Sequence, residues 1–194
     1  MESNTTLTSF SPSKYAISFL IWNSSRKCCC PLTNPARVKR QFSGTFSQDW
    51  IVPMATVLRN LGTEHAWVVH GSDGLDELTT TGPSFVAELK DGKIKTFEIS
   101  PEDAGINLAK PEDLEGGNPD ENARALRAVM SGEHGPYRDI VIYNTAAALL
   151  VAQKSKDLMD GVALAASAID NGQALKTLNN LNILNARKSK PEVI

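Results

Sequence analysis

A chain of 194 residues that is 41% hydrophobic can build one ordinary domain with a core, and is too short for two comfortable ones. Its 20 basic and 22 acidic side chains leave a formal net charge of -2, which gives no electrostatic basis for capturing nucleic acid or an anionic membrane. A protein that handles small ligands fits these figures better.

Residues 1 to 30 are rich in Ser and Thr, show no sustained period and end in the run Cys28-Cys29-Cys30. Three consecutive cysteines make neither a disulfide framework nor a metal-binding spacing, and a chain otherwise without cysteine is compatible with a reducing cytoplasm. The apolar stretch Tyr15 to Trp22 lacks the basic flank of a signal peptide and is too short to span a bilayer. The sequons at Asn4 and Asn23 would matter only in a secreted protein.

From Pro31 onward the pattern becomes orderly. Phe42 to Phe46 reads as a short strand, and Ser47 opens a helical pattern with Trp50, Met54, Val57, Leu58 and Leu61 on one side, stopped by Gly62. Pro53 inside it implies a late start or a kink. Ala66 to His70 is an apolar run of strand formers closed by Gly71, suited to a strand buried on both faces. Ser84 to Leu89 and Ile94 to Ile99 are joined by Lys90-Asp91-Gly92-Lys93, whose Asp-Gly pair predicts a hairpin.

A helical half follows. Asn118, Pro119 and Glu121 have the spacing of a capping box for a helix from Pro119 to Ser131, with Ala123, Leu126 and Met130 as its apolar stripe. The next helix, Tyr137 to Gln153, is apolar nearly all round from Ile140 to Ala152 except at Asn144 and Thr145, which places it at the centre of the core. Helices Asp157 to Ile169 and Gln173 to Ala186 complete the series, the last with Leu175, Leu178, Leu181 and Leu184 spaced for burial. Strands first and helices after, with one buried helix between, indicate an α/β layer structure: a partial sheet with a hairpin, covered by helices.

The segment His70-Gly71-Ser72-Asp73-Gly74-Leu75-Asp76-Glu77 leaves the carboxyl end of a predicted strand, where ligands gather in open α/β sheets. Gly71 and Gly74 allow positive φ and a close approach of backbone amides to phosphate oxygens. Asp76 and Glu77 place two carboxylates side by side. Magnesium is held by one or two carboxylates together with waters and substrate phosphates, so the pair suits it better than zinc, which wants His or Cys, or calcium. The bland alternative is a solvated acidic turn. His70 either orients a ligand or is a hydrogen-bonded strand end. The cluster Arg37, Lys39 and Arg40 either contacts phosphate or forms a solvated turn, and it lacks the aromatic interleaving of a nucleic-acid surface. Gly116-Gly117 before the capped helix is favoured as a structural cap over an anion site.

Read together and in order, PLTNPARVKRQ (residues 31–41), HGSDGLDELTTTGP, GGNPDENARALRAVMSG and GPYRDIVIYNTAAALLVA resemble the anthranilate phosphoribosyltransferase family, over about Pro31 to Ala186, the C-terminal part of its glycosyltransferase-family-3 α/β domain. The resemblance implies a cytoplasmic transferase of tryptophan biosynthesis that uses Mg2+, with phosphoribosyl pyrophosphate and anthranilate as substrates and Asp76 and Glu77 as metal ligands. It identifies no catalytic side chain and no further substrate-binding residue. The family's N-terminal helical domain, its G-T-G-G-D loop, its K-H-G-N segment and its anthranilate-binding arginine have no counterpart here, and Cys30 stands where the family has Gly. The expectation is therefore a partial domain over 31–187 with a charged tail from 188 to 194. Residues 1–30 are expected to be an unrelated segment, disordered or read from another frame. Such a chain would be inactive alone and without the family's homodimer. Two alternatives stay open: a non-catalytic binding or assembly module derived from that fold, and a relative of the pyrimidine nucleoside phosphorylases.

Overall fold

The computed structural model describes residues 32–188, apart from residue 35; the segment 1–30 with its sequons and cysteines, Pro31, and the residues from 189 on lie outside the described residues. Strand β1 (Arg40–Gly44) leads through a 3-10 turn at Gln48–Trp50 into helix α1 (Ile51–Asn60), which returns the chain to β2 (His65–Gly71). Strands β3 (Ser84–Lys90) and β4 (Lys93–Ile99) follow, and the sheet order is β1-β2-β3-β4. The β1 and β2 strands are parallel, as a helical crossover requires, while β2, β3 and β4 pair antiparallel. At the β3–β4 turn Asp91 has φ 51° and Gly92 φ 74°, the two left-handed residues of a type I′ hairpin, so the Asp-Gly expectation holds.

Alternation along β2 divides the core. Ala66 and Val68 face α1, where Ile51, Met54, Ala55 and Leu58 meet Ala87 and Leu89 of β3. Trp67 and Val69 face the opposite layer, and Trp67 packs edge-on against Phe97 with ring centroids 5.4 Å apart. This two-sided burial is what the unbroken apolar run in β2 expresses.

The helical layer comprises α2 (Pro119–Met130), α3 (Pro136–Val151), α4 (Leu158–Asp170) and α5 (Gln173–Lys188). Helix α3 lies at its centre, with Ile142, Tyr143, Ala147 and Val151 buried against the sheet. Gly161 of α4 lets that helix close on α3, since a Cβ there would lie 2.9 Å from the Cα of Ala146. Arg138, buried near the start of α3, donates to Asp170 at the end of α4 over 2.6 Å. Asn118 accepts from the amides of Asp120 and Glu121 while Glu121 accepts from the amide of Asn118, completing the expected capping box.

Four expectations need correction. The first strand lies at Arg40–Gly44 rather than Phe42 to Phe46. Of the two readings of Pro53 the late start holds: helix α1 begins at Ile51, and Pro53 falls in its first turn, where the amide it lacks has no helical partner. The buried stripe of α1 is Ile51, Met54, Ala55 and Leu58, at i, i+3, i+4 and i+7, while Trp50, Val57 and Leu61 are exposed. In α2, Met130 packs half-buried against the core as expected, but Ala123 and Leu126 are exposed, because the inward face runs through Ala125, Ala128, Val129 and Met130. In α5, Leu175 and Leu178 are half-buried but Leu181 and Leu184 are exposed, since every side chain from Asn179 to Leu184 faces solvent.

Candidate functional site

The parallel pair β1 and β2 delivers its carboxyl ends, Gly44 and Gly71, to the same edge of the sheet. Here the backbone of the acidic pair meets β1 with no room to spare. A Cβ on Gly44 would fall 1.5 Å from the carbonyl oxygen of Asp76, so only glycine can stand there.

The loop after β2 folds back on itself. The Gly71 amide donates to the Leu75 carbonyl over 2.9 Å and the Gly74 amide to the Gly71 carbonyl over 3.0 Å. Gly74 takes the expected positive φ, 92°, and a Cβ there would meet nothing within 4 Å. Gly71 does not have positive φ; its side is filled instead, because a Cβ would lie 2.7 Å from Asp73 Oδ1 and 3.2 Å from the Glu77 carbonyl oxygen. One glycine therefore opens the loop and the other tightens it.

Asp76 and Glu77 are half-buried side by side. Burial, and then the neighbouring charge of Asp76, push the Glu77 carboxyl above the usual carboxylate range. Two like charges in a partly desolvated place favour a cation between them. Among the described residues no group of three or more His, Cys, Asp or Glu side chains could hold a metal, so the donor set considered at this loop is a pair and not a cage. That donor set fits a hard divalent ion whose other positions are filled by water and phosphate oxygens, and does not fit structural zinc.

Immediately after the pair, Asn144 of α3 binds the backbone of Leu78 at both its amide and its carbonyl, and Thr79 donates its amide to Ser84 Oγ at the start of β3. Sequence reasoning noticed Asn144 as a polar interruption in an apolar helix but gave it no partner. It also missed Gly44, whose role depends on a contact between two separate strand ends, and Asp73, which it placed in the acidic loop without a function.

The other sequence candidates take structural places. His70 Nδ1 lies 2.8 Å from the carbonyl oxygen of Thr45, which can only accept, so the ring donates across the β1–β2 ends. Lys39 donates to the Gly62 carbonyl and lies 3.6 Å from Glu64, and Arg40 donates to Gln153. Both stand at the beginning of β1, the end remote from the acidic pair, while Arg37 is exposed in the preceding turn. Gly116-Gly117 belongs to the cap of α2, where the Gly117 amide donates to Asn122.

The sequence pattern of the glycosyl transferase family, a/b domain, matches residues 25–175. The chain belongs to that family. It is 60% identical over 151 residues to an anthranilate phosphoribosyltransferase of Parvibaculum lavamentivorans, covering 78% of this chain and 44% of that relative. Among solved structures, the anthranilate phosphoribosyltransferase of Thermus thermophilus superposes with a TM-score of 0.71 at 38% identity, over 79% of this chain and 45% of that one. The Saccharomyces cerevisiae enzyme in complex with PRPP and Mg gives a TM-score of 0.70 at 28% identity, over 77% of this chain and 43% of that one. The chain thus spans less than half the length of the curated relatives it matches. No helix among the described residues is long and apolar enough to cross a membrane.

Proposed function

We propose that the protein transfers the phosphoribosyl group of phosphoribosyl pyrophosphate to the amine of anthranilate, a step of tryptophan biosynthesis in the cytoplasm. In this reading residues 31–187 are part of a catalytic α/β domain, and Asp76 and Glu77 hold the Mg2+ that accompanies the donor. The observation that carries the reading is the half-buried carboxylate pair at the joint carboxyl ends of two parallel strands, in a chain whose relatives are named for that transfer. The yeast relative solved with PRPP and Mg supports the same pairing of ion and donor.

Attack of the amine at the anomeric carbon releases pyrophosphate, so negative charge grows on the leaving group while the ribose gains cationic character. Bound Mg2+ supplies several kcal/mol of stabilisation to such a leaving group. The side chains of Asp76 and Glu77 provide the anionic oxygens that hold it. Gly74, with open space where a Cβ would stand, leaves the loop backbone accessible to a phosphate-bearing ligand. No covalent enzyme nucleophile is required, because amine and leaving group exchange at one carbon.

Titration calorimetry of phosphoribosyl pyrophosphate into the full chain tests the reading. Binding should require Mg2+ and vanish in chelator and in the double variant Asp76→Ala with Glu77→Ala. Binding that is independent of Mg2+, or untouched by the double variant, would contradict it.

A further inference from the structure

We propose that Asp73 is a positioning residue that holds the Asp76–Glu77 pair in register from both sides, and not a third ligand of the ion. The inference rests on the reading of that pair as cation ligands. An acidic loop with three carboxylates in five residues invites the simpler view that all three bind metal, and the hydrogen bonds of Asp73 argue against it. Its Oδ1 accepts the amide of Leu75 over 3.1 Å. Its Oδ2 accepts the hydroxyls of Thr79 and Thr81 over 2.5 and 2.8 Å. Such charge-assisted O–H···O bonds are short and strong.

Leu75 directly precedes the pair and Thr79 follows it by two residues, so one carboxylate grips the chain on either side of Asp76 and Glu77. The glycine at 71 makes this possible, because any Cβ there would crowd Asp73 Oδ1 at 2.7 Å. Thr79 is itself fully buried and its hydroxyl oxygen also receives the Thr81 amide over 3.0 Å, while its proton goes to Asp73, whose carboxylate oxygen can only accept. Partners of this kind, which orient the groups that touch a metal, typically change affinity by about 10- to 100-fold when removed.

The test measures Mn2+ binding to the full chain by water-proton relaxation, with circular dichroism and thermal unfolding run on every variant. Asp76→Ala with Glu77→Ala should abolish binding. Asp73→Ala should weaken it by about 10-fold or more while the far-ultraviolet spectrum stays native. Thr81→Ala, which removes one hydroxyl and leaves the Asp73 carboxylate less occupied, should weaken binding in the same direction. A purely structural Asp73 would lower the unfolding temperature and leave the affinity of folded protein unchanged, which overturns the proposal. A ligand role would show as weakening in Asp73→Ala with unchanged or tighter binding in Thr81→Ala, and that also overturns it. Should Asp73→Ala fail to fold, Asp73→Asn decides with Thr81→Ala: Asn can still accept from Leu75 but not from both hydroxyls, and native affinity in both variants overturns the proposal. Wild-type binding that survives the loss of Asp76 and Glu77 would instead sink the reading of the pair, and the role of Asp73 with it.

Discussion

Asn144 Oδ1 accepts the amide of Leu78 over 2.9 Å while its Nδ2 donates to the Leu78 carbonyl over 2.8 Å, so one buried side chain on α3 reads both backbone groups of the residue that follows Glu77. The same Nδ2 reaches the Ile140 carbonyl within its own helix. A polar side chain is tolerated in the middle of the core because its amide oxygen and nitrogen, and the amide and carbonyl of Leu78, all find partners. Asn144→Ala leaves the Leu78 amide and carbonyl buried without it, at about 1–3 kcal/mol for each unsatisfied group. The expected loss is roughly 2–6 kcal/mol, read by urea unfolding. A change within experimental error would mean that Leu78 does not depend on the clamp.

The contact between Gly44 and Asp76 predicts a more local failure. A Cβ 1.5 Å from the Asp76 carbonyl oxygen cannot be accommodated without moving backbone, so Gly44→Ala should destabilise at or beyond the upper end of the ~1–3 kcal/mol typical of overpacking. The displaced backbone is that of the acidic pair, so folded Gly44→Ala should also lose Mg2+-dependent donor binding. Gly172→Ala serves as the comparison: φ there is 76° and nothing lies within 4 Å, so strain alone applies, at about 1–2 kcal/mol, with donor binding unchanged.

Asp73 gives the chain an acid-sensitive element. Burial alone would raise its carboxyl, but the hydrogen bonds from Thr79, the Leu75 amide, Thr81 and its own amide together outweigh that and bring it below the usual carboxylate value. A lowered folded pKa stabilises the fold above the unfolded value, and that contribution disappears as pH falls through the folded value. Wild type should therefore be more stable than Asp73→Asn at neutral pH, with the difference closing below about pH 4. Unfolding midpoints of the two proteins across pH 2.5 to 7, about a dozen points, check this; a gap that persists undiminished in acid would refute it.

Much of the layout was legible because it rests on local chemistry. The Asp91-Gly92 turn, the Asn118–Glu121 box and the two-sided burial of β2 each follow from residues that act on near neighbours. The leucines of α5 misled for the opposite reason: helical spacing shows which residues share a face, but not whether a partner covers it, and Leu181 and Leu184 are exposed at 41% and 52%. At the candidate site, the acidic pair was visible as adjacent carboxylates. What holds it was not, because Gly44 and Asn144 stand 32 and 68 positions away from Asp76 in sequence and meet it only through the fold.

The exposed end of α5 carries its own expectation. Leu181→Ser and Leu184→Ser remove apolar surface that is already in contact with water, so each should change stability by no more than about 0.5 kcal/mol. Leu58→Ala, at a side chain 2% exposed beneath the sheet, should cost about 2–5 kcal/mol. Thermal unfolding of the three variants side by side tests the contrast, and a large loss at Leu181 or Leu184 would show that this face is covered in solution.

On the proposed function, Asp76 and Glu77 hold a divalent cation against the phosphorylated donor. Crystals of the full chain soaked with Mn2+ and phosphoribosyl pyrophosphate, measured at the manganese absorption edge, test it most directly. An anomalous peak is expected within coordination distance of the carboxylates of Asp76 and Glu77, with phosphate oxygens of the donor also in its shell and Asp73 still bound to Thr79 and Thr81. A peak held by other residues, or donor bound with no metal at the pair, would contradict it.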